Sequence, residues 1–213
     1  MKIIYINGIN TTEQEANEQV AFLNEILRDA VTLCYNPTFS NNVPVIGSLV
    51  DLAESFYNRA MPWAPDLPVT RKLSGMVDDG LDTFDYVTVI AHSQGIAIAA
   101  NALKSLLSPN RGFVKAIFFA NINSYEPEGV EGEIFLNDED YVHSNLFISN
   151  FFLRIYHLFS KPKNRWKKYT RRGSGHAFFE KYLKKLKEFT GFRESMFCAL
   201  MKDEAPYKAE AAS

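Results

Sequence analysis

Cysteine is scarce in this chain of 213 residues: Cys34 and Cys198 are the only two. Two cysteines cannot build a disulfide framework or a structural zinc site of the usual spacing. Each lies in an apolar or amphipathic stretch, so both read as inert thiols packed as small hydrophobes in a reducing compartment. Long hydrophobic runs are lacking too, and nothing approaches the roughly 20 apolar residues that cross a bilayer. The opening run MKIIYINGIN is interrupted at Asn7-Gly8, too early for a secretory signal. The expectation is a soluble cytoplasmic protein, with signal-independent export left open. Charge of one sign is not in excess either. A formal net charge of −2 gives no general pull toward nucleic acid or acidic membranes. There is no internal repeat and no low-complexity segment outside the tail at 201–213.

What is present is an alternation of strand and helix signals. KIIYI (2–6) is β-branched and aromatic and runs into turn residues. From Thr12 to Ala30 apolar residues recur at helical spacing, and Thr12 with Glu15 makes a capping box. VTLCY (31–35) predicts a second strand, ended by Asn36-Pro37. Residues 38–67 break the alternation with repeated prolines and read as a helical insertion. Val69–Leu81 predicts a helix and Asp82–Asp85 a turn. YVTVIA (86–91) is near-continuously apolar, as a buried parallel strand should be. Gly95–Leu107 predicts an apolar helix, VKAIFFA (114–120) and GEIFL (132–136) two more strands, and Asn145–Phe159 and Phe178–Phe189 two further helices. The pattern predicts one α/β domain over 1–200: a mostly parallel sheet of about five to six strands with helices on both faces, in three layers. In such sheets sites lie beyond the carboxyl ends of the strands. Functional residues should therefore follow Ile6, Ala91, Ala120 and Leu136.

The segment DYVTVIAHSQGIAIAANAL meets that expectation. An apolar strand runs into AHSQG and then into a helix rich in small residues. A serine on a sharp strand-to-helix turn needs small residues two places before and after it, and Ala91 and Gly95 stand there. Such a turn puts the hydroxyl at the positive end of the next helix and aims the backbone N–H of Gln94 at a developing oxyanion. The bland alternative is a serine that caps the helix. His92, next to the serine, has the wrong geometry to be its base and suits packing or orienting the turn.

AHSQG between strand and helix resembles the nucleophile elbow of the α/β-hydrolase superfamily, and within it the compact lipase- and esterase-like members. Ala91 replaces the first glycine of G-x-S-x-G. The resemblance implies that Ser93 is a nucleophile, and that acid and base follow it in that order. It also implies an oxyanion donor after an early strand, often in an HG-x motif. IYINGIN stands in that place, with Asn7 for the histidine, Ile9 N–H as donor and Asn10 as its competitor. For the acid, the family pattern G-x-x-D-x-V is matched by Asn137, Asp140 and Val142, with asparagine for glycine. Asp138 is the alternative acid, Glu139 a further competitor, and an acid near Glu126 occurs in some relatives. The acid would fix the imidazole tautomer of the base. Of His143, His157 and His176, the last lies in RRGSGHAFFEKYL, loop-borne and entering the last helix, as the family's base does. The implied activity is cleavage of a carboxylic ester, of a lipid or another acyl compound, through an acyl-enzyme, without metal or organic cofactor. A thioesterase or acyltransferase would share every one of these residues. A catalytically inactive binding protein of the same fold is the alternative from another class.

Two features bear on substrate and partners. Apolar segments at 38–67 and 145–160 could form a lid or acyl pocket, or simply core helices. A run of Lys161, Lys163, Arg165, Lys167, Lys168, Arg171 and Arg172, with Trp166 and Tyr169 interleaved, contains no acid. Arg165, Lys167 and Lys168 suit a phosphate headgroup or the surface of an anionic membrane. The same run could meet nucleic acid, though that is not the expectation, or be a solvated basic loop.

Overall fold

The computed structural model describes residues 1–8, 11–37, 68–107, 109–120, 126–139, 166–174 and 178–201. Six strands form the sheet: β1 Lys2–Ile6, β2 Val31–Cys34, β3 Val87–His92, β4 Val114–Phe119, β5 Glu131–Glu139 and β6 Trp166–Ser174. Their order is β2-β1-β3-β4-β5-β6, and every neighbouring pair is parallel. A parallel sheet is covered on both faces, and the apolar runs of β1, β3 and β4 follow from that. All six residues of β3 are buried.

On one face, helices α2 (Pro68–Thr83) and α3 (Gln94–Ser105) pack on Ile4, Ile6, Val89, Ala91, Ala116 and Phe118. On the other, α1 (Glu13–Leu27) and the C-terminal segment cover Ile3, Tyr5, Ile90, Ile117, Phe119 and Phe135. The predicted capping box forms: the Glu15 amide donates to Thr12 Oγ1 at 3.1 Å, and the Thr12 amide donates to Glu15 Oε2 at 2.8 Å. Cys34 and Cys198 are both buried free thiols. Among the described residues no helix is long and apolar enough to cross a membrane.

Four local readings need correction. Asp82 and Thr83 continue α2, because Thr83 Oγ1 donates to the Asp79 carbonyl in the last helical turn. Asn137, Asp138 and Glu139 belong to β5, which outruns GEIFL because β6 pairs alongside it as far as Glu139. The second half of the basic run is that sixth strand, not a loop. Trp166 packs on Phe118 at a ring distance of 5.1 Å and Tyr169 stacks on Phe135 at 5.1 Å, on opposite faces as strand alternation requires. Trp166 occupies the space a side chain at Gly132 would need: a Cβ there would lie 2.3 Å from its ring. Finally, the segment after Phe178 is not one α-helix. It winds as a wide π-type turn over Phe178–Tyr182 and as tight 3-10 turns over Leu183–Glu188. A short helix α4 (Met196–Leu200) follows. Its first amides, Met196 N and Phe197 N, donate to the buried carboxylate of Glu133 on β5, at 2.5 and 3.1 Å. The predicted insertion at 38–67, the predicted helix at 145–159 and residues 202–213 lie outside the described residues.

Candidate active site

The chain leaves β1 toward β2 on one side of the sheet, and β3 lies on β1's other side. In such sheets ligands bind at a switch point of this kind, here beyond the ends of β1 and β3. The last paired residues are Ile6 and Ala91. Just beyond them stand Asn7-Gly8 and His92-Ser93.

Ser93 adopts φ 53° and ψ −121° and makes no side-chain cap to α3. A capping serine sits in the extended region and accepts from an amide of the first turn. Ser93 does neither, so the helix-cap reading fails. A serine in this sparsely populated region stores about 1–3 kcal/mol of strain, which the surroundings must hold in place. They do so through the backbone: Ser93 N donates to the Phe119 carbonyl at 3.1 Å, and Ile96 N donates to the Ser93 carbonyl at 3.0 Å. The second bond also orients the next amide. In a trans peptide C=O and N–H point opposite ways. With the Ser93 carbonyl turned into α3, the Gln94 N–H points out of the helix terminus.

The crowding explains the glycines. A Cβ on Gly95 would lie 2.7 Å from the Asn7 carbonyl oxygen and 2.8 Å from that of Ile6. A Cβ on Gly8 would lie 3.0 Å from Ser93 Cβ and 3.0 Å from His92 Nδ1. The turn at Ser93–Gly95 and the end of β1 therefore touch backbone to backbone. His92 is buried, its ring stacked on Phe178 at 5.1 Å and edge-on to Tyr182 at 6.1 Å. Ala120, at the end of β4, is a second non-glycine residue with positive φ (60°) at this edge of the sheet.

Three buried carboxamides join the strand ends. Asn7 Nδ2 donates to the Asn36 carbonyl at 3.0 Å and to the Gly8 carbonyl at 2.9 Å, and Asn7 Oδ1 accepts from the Asn36 amide at 2.8 Å. Asn36 Nδ2 in turn donates to Gln94 Oε1 at 3.0 Å. The sequence flagged Asn7 as standing where the family has a histidine, and Gln94 for its backbone alone. Asn36 read only as a turn residue.

Other expected residues fall out as follows. Ile9, Asn10, Asp140, His143, His157, Arg165 and His176 lie outside the described residues. Asp138 is in β5 near its carboxyl end. Glu126 meets Lys168 at 3.2 Å, an exposed lysine on β6. Lys167 is exposed on the same strand. Arg171 is tied within the chain: it pairs with Glu188 at 2.7 Å, donates to Asn137 Oδ1 at 3.2 Å and lies over the Phe189 ring. Hydrogen bonds from Lys185 and from Arg171 hold the Glu188 carboxyl below its ordinary pKa.

At the end of β2, burial raises the Cys34 thiol to about 11, with Lys72 opposing the shift, so it stays protonated and unreactive at neutral pH. No cluster of His, Cys, Asp and Glu suited to a metal ion occurs among the described residues. A shallow depression of about 180 Å³ lined by Thr70, Arg71, Ser74, Gly75 and Ser105 lies between α2 and α3. Ser105 ends α3, so this depression sits at the opposite end of that helix from Ser93. No protein-family model matches the chain, and no curated protein matches it.

Proposed function

We propose that this chain is a serine hydrolase of the α/β-hydrolase type, cleaving a carboxylic ester through an acyl-enzyme at Ser93. The observation that carries the reading is the backbone of Ser93, strained at φ 53° and ψ −121° between a buried strand and a helix it does not cap. Strain of that kind persists where a side chain must be presented in a fixed direction.

Chain order adds support. All six strands are parallel, so their carboxyl ends share one edge of the sheet. Gly8 follows the end of β1 and Ser93 the end of β3. Asp140 is the residue after β5, and His176 comes two residues after β6. Phe178, two residues further on, stacks on His92 beside the nucleophile. In the proposed reaction His176 takes the proton of Ser93 Oγ as that oxygen attacks the ester carbonyl. Asp140 holds the imidazole and stabilises its charged form. The N–H groups of Gln94 and Ile9 stabilise the oxyanion. The tetrahedral adduct collapses, the alkoxide leaves with the proton from His176, and water resolves the acyl-enzyme by the same steps in reverse. The substrate class is a lipid or other acyl ester. Lys168 and Arg171 find acidic partners within the chain, which leaves less of the basic run for an anionic headgroup.

A fluorophosphonate probe tests the reading. Wild type should label, and Ser93→Ala and His176→Ala should not. Wild type that stays unlabelled and leaves p-nitrophenyl esters intact would refute it and favour a binding protein of the same fold. Relative rates on p-nitrophenyl esters and the matching thioesters separate esterase from thioesterase.

A further inference from the structure

Past the Ile6–Ala91 pair no ladder bond holds β1 to β3 among the described residues, and the ladder of β1 with β2 ends at Ile6–Cys34. Yet the start of α3 at Gln94, proposed to grip an oxyanion, faces the end of β1 at Asn7-Gly8 in this stretch. Their separation must be fixed by something other than the sheet. The side chains of Asn7, Asn36 and Gln94 supply the connection. Asn7 reproduces a ladder with its carboxamide, accepting from the Asn36 amide and donating to its carbonyl. Asn36 then reaches across to Gln94 Oε1 at 3.0 Å. All three residues are buried, so water does not compete with these bonds.

We infer that Asn36 is a positioning residue, whose carboxamide fixes the start of α3, and with it the amide of Gln94 proposed to bind the oxyanion, against the end of β1. The inference rests on the hydrolase reading above and assigns a role within it. Asn36 touches no reacting atom. Its contacts to Asn7 run through its backbone, so a side-chain substitution leaves them in place and removes only the tie to Gln94. Gly95 packing against the Ile6 and Asn7 carbonyls limits how far α3 can approach β1, and the Asn36–Gln94 bond limits how far it can retreat.

The test compares Asn36→Ala, Gln94→Met and the double variant on p-nitrophenyl butyrate, with thermal midpoints measured alongside. Removing one oxyanion donor outright costs about 10²–10³ in kcat. Loosening its position should cost less, about tenfold, in kcat, with KM within twofold. Either end breaks the same bond, so Gln94→Met should reproduce the loss, and the double variant should be no worse than the poorer single. Should Asn36→Ala fail to fold, Gln94→Met, close to glutamine in volume, reads the same tie alone. An unchanged kcat in a folded single variant would overturn the inference while leaving the hydrolase reading intact. So would multiplicative losses in the double variant. A wild-type chain without Ser93-dependent hydrolysis or labelling would remove both.

Discussion

Replacing Ser93 by glycine should make the protein more stable than replacing it by alanine. Both variants lack the hydroxyl, so their difference reports only what a Cβ costs at φ 53° and ψ −121°. A non-glycine residue held there stores about 1–3 kcal/mol. Glycine gives back part of that, because its unfolded chain is freer by about 0.4–1 kcal/mol. The balance favours Ser93→Gly by about 1 kcal/mol, which for a chain of this size is roughly 2–4 °C in the melting midpoint. The assay is thermal or urea unfolding of the two variants in one buffer. Glycine ordinarily outranks alanine at an N-cap as well, so it is a reversal of the expected order that speaks against strain. Should Ser93→Gly melt at or below Ser93→Ala, the backbone at this residue is not strained, and the main support for a nucleophile elbow is gone. The comparison does not depend on finding a substrate.

Further outcomes follow from the same packing. Gly95→Ala would press a methyl group against the Asn7 and Ile6 carbonyl oxygens at 2.7 and 2.8 Å, and should destabilise by about 1–3 kcal/mol, read by urea unfolding. Glu133→Gln should free the start of α4, because the carboxylate accepts from Met196 N, Phe197 N and the Tyr169 hydroxyl. A loss of about 1.5–3 kcal/mol is expected, with hydrogen exchange at residues 196 and 197 rising before exchange in β3 does. At alkaline pH the protein should weaken. The unfolded chain releases the Cys34 proton near its ordinary 9.0 and the folded one at about 11, so stability falls as pH climbs between those values. Burial also pushes the Tyr5 and Tyr169 phenols up, and the latter bonds to Glu133, extending the decline. Urea midpoints measured from pH 8 to 11 check this, and Cys34→Ala should flatten the first part of the curve.

The sequence made the centre of the sheet legible because those strands are buried on both faces. KIIYI, TVIA and AIFF are runs that only a covered parallel strand explains, and the Thr12–Glu15 capping box marked the start of α1. β6 was hidden by its position. An edge strand carries its lysines toward solvent, and only Trp166 and Tyr169 betray its alternation. Periodicity also misjudged the segment after Phe178. Its apolar spacing is helical, but the winding widens and then tightens, so that Phe178 and Tyr182 both reach His92 while Leu183, Leu186 and Phe189 turn inward. Tertiary packing overrides propensity there. At the site, AHSQG pointed to Ser93 because the steric demands of a sharp turn are written in adjacent small residues. Asn36 and the side chain of Gln94 were not legible as a pair, since their bond joins positions 36 and 94 through strand order alone.

The ring of Tyr5 lies flat against Phe178, with centroids 5.1 Å apart. β1 thus waits for a segment far along the chain before its aromatic face is covered. A nascent chain stalled short of residue 178 would present that ring, together with Phe119 and His92, to chaperones and proteases. On this account one face of the sheet is covered only by a contact between segments far apart in the chain, the kind of pairing that forms slowly.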